Sequence, residues 1–124
     1  MTKKLTVIQM LPALEGGGVE RGTLELGKYL SEHGHRSIVI SDGGGMTDQL
    51  VKEGSEHIEL PVGKKSLLTL RYVSKVKDIL QTVKPDILHL RSRLPAWIGY
   101  LAWKKLPKDV RPKLVTTVHG PYSI

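Results

Sequence analysis

Residues 5–30 read LTVIQMLPALEGGGVERGTLELGKYL. An apolar run, Leu5 to Leu11, enters a glycine turn at Gly16, Gly17 and Gly18, and an amphipathic segment leaves it. This predicts strand, loop and helix, the opening unit of a nucleotide-binding α/β sheet. Bare glycines let backbone N–H groups approach a ligand. The following helix aims its positive end at the same spot, which favours a phosphate there.

Outward from that unit, the pattern repeats. Helix one is expected from Gly18 to His33, with Gly34 as its C-cap and Val19, Leu26 and Leu30 toward the sheet. Gly22 and Gly27 each weaken that helix by about 1 kcal/mol relative to Ala, which close packing on the sheet or on a ligand would offset. Strand two covers Arg36–Ser41 and ends in a second glycine cluster, Asp42-Gly43-Gly44-Gly45. A short helix over Thr47–Glu53, capped by Gly54, leads to strand three, His57–Leu60. Ser66 then caps a long helix to Val83, with Leu68, Tyr72, Val73, Val76, Ile79, Leu80 and Val83 as its apolar stripe. Pro85 ends it. Strand four, Asp86–Leu90, runs into Arg91-Ser92-Arg93 and a helix opened by Pro95. Strand five is Lys113–Val118.

Strand and helix alternate four times before the fifth strand, which predicts a parallel sheet with helices on both faces. The expected fold class is α/β, a Rossmann-like doubly wound sheet of order 3-2-1-4-5. Its ligand crevice should lie beside strands one and four. The Gly16 loop, the Asp42 glycines, Arg91-Ser92-Arg93 and Val118-His119-Gly120 would all line that one edge.

Composition narrows the chemistry. The 124 residues suffice for one domain, and the 40% hydrophobic content for a core that, without Phe, is aliphatic. The absence of Cys removes disulfides, thiolate zinc sites and cysteine nucleophiles. The N-terminal MTKKLTVIQM has two lysines before a short apolar run, but the run is interrupted by Thr6 and Gln9 and reads as a first strand rather than a signal segment. The net charge of +7 suggests an anionic partner, and much of the excess is late, in Lys104, Lys105, Lys108, Arg111 and Lys113. Trp97 and Trp103 sit in an apolar helix and are expected to pack, so the basic segment lacks the interleaved aromatics of a nucleic-acid site.

Specific motifs are mostly missing. A G-x-G-x-x-G fingerprint is only partly met: Gly16 and Gly18 fit, but Arg21 stands where the third glycine belongs. Asp42 occupies the place of a ribose-binding acid. No Walker A loop or serine elbow occurs. Among the five histidines, His119 stands out, since it follows a strand at the crevice and precedes a glycine.

The motifs GGGVER after strand one, DILHLRSRLPAW and VTTVHG together resemble the N-terminal domain of family 4 glycosyltransferases, retaining enzymes of the two-domain GT-B fold. The RSRLPAW segment is most similar to members that build lipopolysaccharide or other surface polysaccharide. The resemblance implies a nucleotide-sugar donor, a glycan or lipid-linked acceptor, and no metal or other cofactor. It places Gly16, Gly17 and Gly18 under the donor diphosphate, His119 at the reaction centre, and Arg21, Arg91, Ser92 and Arg93 on the acceptor side. It further implies a cytoplasmic enzyme, with the basic segment touching the anionic inner face of the membrane. The family's C-terminal donor domain is missing from residues 1–124, which read as an incomplete N-terminal domain. Such a chain is expected not to transfer sugar alone, and its unfinished sheet edge would invite a homodimer. From the residues themselves two other readings stay open: a non-catalytic nucleotide- or anion-binding module, and half of an NAD-dependent enzyme.

Overall fold

The computed structural model describes residues 4–14, 18–62, 69–91 and 93–117. Five strands, β1 (Thr6–Met10), β2 (Arg36–Ser41), β3 (Glu56–Glu59), β4 (Ile87–Leu90) and β5 (Lys113–Thr116), form one sheet. Its order is β3-β2-β1-β4-β5 and every pairing is parallel. The helices are α1 (Gly18–Glu32), α2 (Thr47–Lys52), α3 (Thr69–Val83) and α4 (Arg93–Lys104), and a single 3-10 turn spans Lys108–Val110. The fold class and strand order are those expected from the sequence.

Strand alternation sorts the core into two layers. Ile8, Met10, Ile38, Ile40, Leu88 and Leu90 point into the larger cluster, under Val73, Val76 and Leu80 of α3 and Ile98 and Ala102 of α4. On the other face Val39 joins Leu11, Leu14, Leu24 and Leu50 beneath α1 and α2. The intervening residues of β1 and β4, Gln9, His89 and Arg91, therefore lie on the α1 side, and all three are buried.

Helix ends follow the glycine signals. After α1, His35 N–H reaches Leu30 O and Gly34 N–H reaches Ser31 O, with Gly34 at φ 80°. The same pair of bonds closes α2 around Gly54, at φ 105°. Both are left-handed caps that a side chain would strain.

Three details differ from expectation. The face that α1 buries is Thr23, Leu24, Gly27 and Leu30, with Leu26 only partly covered. Within that face Gly27 lets the helix lie close on the sheet. A Cβ on Gly27 would collide with Ser55 Oγ and lie 3.1 Å from Ser37 Oγ. Trp97 is 64% exposed rather than packed, because Ile98 and Ala102 take the sheet-facing positions of α4. Arg111, counted with the late basic residues that suggest an anionic partner, instead ties off α4: its guanidinium donates to Lys104 O (2.7 Å) and Leu106 O (3.1 Å) and lies over Trp103.

Candidate functional site

The carboxyl ends of β1 and β4 diverge. From β1 the chain crosses to β2 through α1 on one face, and from β4 it crosses to β5 through α4 on the other. That divergence opens the crevice in which open α/β sheets hold ligands. The loops above it are stitched together. Asp42 N–H donates to Pro12 O (2.8 Å), Leu14 N–H to Gly43 O (2.9 Å) and Met46 N–H to Leu14 O (2.8 Å). The chain leading into the first glycine turn is thus held by the second glycine cluster.

Arg91 follows directly on β4 at this end of the sheet. Its backbone extends β4 by a bond to Met10 O (2.9 Å), and parity sends its side chain to the α1 face. There Nε donates to Gln9 Oε1 across 2.6 Å, while Gln9 Nε2 donates to Thr23 O (3.2 Å) within α1. Strand four, strand one and helix one are thereby linked through two side chains. Gln9 is fully buried and Arg91 is 8% exposed. Burial holds the guanidinium pKa below its ordinary value. Among the described residues no carboxylate pairs with it. The guanidinium packs against α1 at Gly22, where an added Cβ would lie in ordinary contact with Nη1, at 3.4 Å.

Of the other residues singled out from sequence, Gly18 is the first residue of α1. Arg21 is exposed and lines a groove of about 350 Å³ between α1 and α2, with Glu25, Lys28, Met46, Gln49 and Glu53; the structure does not bring it to Arg91. Arg93 is the first residue of α4. Gly16, Gly17, Ser92 and His119 lie outside the described residues, and so does the Ser66 cap. His89 sits two residues before Arg91 on the same face, with Nε2 3.2 Å from Thr117 Oγ1.

A second polar cluster was not foreseen. Ser41 Oγ accepts Gly43 N–H (3.0 Å) and lies 2.7 Å from His57 Nε2. A hydroxyl already accepting from Gly43 has its proton free for a neutral Nε2. Burial accordingly pushes the His57 pKa down, partly opposed by Glu59. The contact follows from register, which pairs Ser41 with Glu59 and Val39 with His57, and the sequence carried no local signal for it.

This geometry agrees with the comparisons. The family model for Glycosyltransferase Family 4 matches residues 16–123. The chain belongs to glycosyltransferase family 4. A glycosyltransferase from Rickettsia africae ESF-5 superimposes with a TM-score of 0.84 at 43% identity, covering 99% of this chain and 32% of that one. The family 4 chain thus spans about a third of that relative's length. CalG4, the calicheamicin glycosyltransferase, shares the fold at 20% identity and a TM-score of 0.58, over 98% of this chain and 35% of that one. The C-terminal domain of the PF1911 hydrogenase from Pyrococcus furiosus also shares the fold, at 17% identity and a TM-score of 0.65, over 94% of this chain and 93% of that one. No curated protein matches the chain.

Proposed function

We propose that this chain forms the acceptor-side, N-terminal domain of a glycosyltransferase that moves a sugar from a nucleotide-sugar donor to a surface glycan or a lipid-linked acceptor of polysaccharide biosynthesis. The observation that carries the reading is 43% identity to a glycosyltransferase across 99% of the chain. In this reading the reaction retains the anomer. The bond from the anomeric carbon to the diphosphate oxygen breaks, the acceptor hydroxyl oxygen bonds to that carbon on the same face, and the hydroxyl proton leaves with the diphosphate. Backbone donors of the Gly16–Gly18 turn and the positive end of α1 stabilise the charge that develops on the leaving group. These groups do the work that a metal ion does in other transferases. His119 contacts the donor sugar, and Arg91, Ser92 and Arg93 face the acceptor. In this reading the base-binding elements lie in a C-terminal donor domain, and residues 1–124 by themselves are expected not to transfer sugar. The outer edge of β5 can pair with a further strand, including that of a second copy.

No helix among the described residues is long and apolar enough to cross a membrane. Contact with an anionic inner membrane face is supported instead by α4. Trp97 and Tyr100 are exposed there, and Lys104, Lys105 and Lys108 are exposed at and just beyond its C-terminal end. Exposed aromatics beside lysines suit a headgroup layer.

A chimera tests the assignment. This chain replaces the matching third of the Rickettsia africae protein, and nucleoside diphosphate release is measured across UDP-, GDP- and ADP-sugars with bacterial lipid and glycan acceptors. Acceptor-dependent release is expected. A folded chimera without release, beside an active parent, would leave the non-catalytic anion-binding module, which the buried Arg91 also fits.

A further inference from the structure

We propose that the groove between α1 and α2 holds a neutral sugar unit of the glycan acceptor, beyond the unit that receives the transferred sugar; this rests on the acceptor-side reading above. The groove encloses about 350 Å³, within the roughly 300–1,000 Å³ of small-molecule sites. Arg21, Glu25 and Lys28 line it from α1, Gln49 and Glu53 line it from α2 and its C-cap, and Leu24 and Met46 supply apolar surface. The charges along it are unpaired. Opposite charges three or four residues apart on a helix can pair, and Arg21 with Glu25 and Glu25 with Lys28 have that spacing. Among the described residues neither pair forms an ion pair, and none of the three side chains has a hydrogen-bond partner. The one bond between lining side chains is long, from Gln49 Nε2 to Glu53 Oε2 at 3.4 Å.

That lining selects a ligand. Arg21 and Lys28 are balanced by Glu25 and Glu53, so the groove carries no net charge. A phosphate there meets two carboxylates, and a cation meets a guanidinium and an ammonium. A sugar meets neither penalty. Its hydroxyls donate to carboxylate or amide oxygens and accept from guanidinium, ammonium or amide N–H groups. The C–H face of a pyranose ring packs on Leu24, which is buried, and on Met46, whose unbranched thioether adapts to the ring. The position of the groove suits an acceptor as well. Both helices start at the carboxyl edge of the sheet, α1 at Gly18 and α2 at Thr47. Arg21 and Met46 therefore mark the end nearest the crevice. Lys28, roughly 10 Å further along α1, and Glu53 mark the far end. A glycan that reaches the crevice with its terminal sugar lays the next sugars along this groove, where they contribute binding energy away from the reacting atoms.

The test uses the 124-residue chain labelled with nitrogen-15. The backbone resonances of Glu25, Lys28 and Gln49 are followed during titration with three neutral disaccharides, maltose, lactose and N,N′-diacetylchitobiose, and separately with inorganic phosphate and with glycine. Saturable movement of these signals is expected with at least one disaccharide, and at lower concentration than with phosphate or glycine. Glu25→Ala combined with Gln49→Ala should weaken that binding at least fivefold, and Lys28→Ala alone at least twofold. All three residues are exposed, and thermal melts check that each variant is folded. Three results would overturn the proposal: no saturable movement with any of the disaccharides, phosphate or glycine bound as tightly as the best disaccharide, or unweakened binding in the folded variants. Failure here is separable from failure of the assignment. A chimera whose sugar transfer is indifferent to Glu25→Ala with Gln49→Ala at every acceptor length removes the groove and keeps the transferase, whereas disaccharide binding without transfer does the reverse.

Discussion

Arg91 Nε donates to Gln9 Oε1 at 2.6 Å, joining side chains 82 residues apart at the point where the sheet's two halves diverge. A hydrogen bond to a charged group contributes about 1.5–3 kcal/mol. It also ties both strands to α1, because Gln9 Nε2 donates to Thr23 O. Side chains from β1 and from just beyond β4 thus meet on the α1 face, and among the described residues no carboxylate pairs with the Arg91 guanidinium.

Glycines at two positions of α1 should respond in opposite ways. Gly27→Ala drives a methyl into the hydrogen-bonded pair of Ser37 and Ser55, whose hydroxyls are 2.8 Å apart. Overpacking costs about 1–3 kcal/mol, against a helix-propensity gain of about 1 kcal/mol, so a net loss of up to about 2 kcal/mol is expected in urea titrations. Gly22→Ala meets only the tip of Arg91 at contact distance, so it should leave stability unchanged or higher. A Gly27→Ala variant more stable than Gly22→Ala would contradict the packing described.

His57 should make the fold acid-sensitive. Its pKa is lowered in the folded state by burial, whereas in the unfolded chain it is about 6.5. Between those values the unfolded chain binds more protons. The stabilisation is therefore whole above about pH 6.5 and is lost as pH falls toward the folded pKa. His57→Gln should show a smaller drop in urea midpoint between pH 7.5 and pH 5.5 than the parent chain. Equal drops would remove His57 from the account.

The exposed face of α4 makes a third prediction. Reversing Lys104, Lys105 and Lys108 to Glu should weaken sedimentation with phosphatidylglycerol vesicles at least about tenfold, since each surface lysine contributes about 1 kcal/mol. Replacing Trp97 and Tyr100 by Ala should weaken it further, with the helical signal intact. Binding unaffected by either set would exclude this face as the membrane contact.

Much of the fold was legible because its signals are local. Gly34 and Gly54 marked helix ends, the bounds of β2 were those its β-branched run suggested, and strict alternation forced a parallel sheet. The stripe of α3 also matched, with Val73, Val76 and Leu80 buried. What failed was helical phase. Ile98 rather than Trp97 faces the sheet, and Leu24 rather than Leu26 is buried, because an apolar helix does not announce which side is closest to its neighbour. Arg91 was legible as the residue that ends strand four but not as a buried one. Parity from Leu88 and Leu90 places His89 and Arg91 on the opposite face, yet only the neighbouring Gln9 and the bare Gly22 show that a charge is enclosed there. The Ser41–His57 contact depends on register between β2 and β3, which no local pattern encodes.

The most direct measurement is acceptor kinetics in the chimera with and without Arg91→Gln. Loss of about 1.5–3 kcal/mol predicts that kcat/KM for the acceptor falls roughly 10- to 150-fold, while KM for the nucleotide sugar stays within about twofold. Unchanged acceptor kinetics, or a loss confined to the nucleotide sugar, would contradict an acceptor-side crevice centred on Arg91.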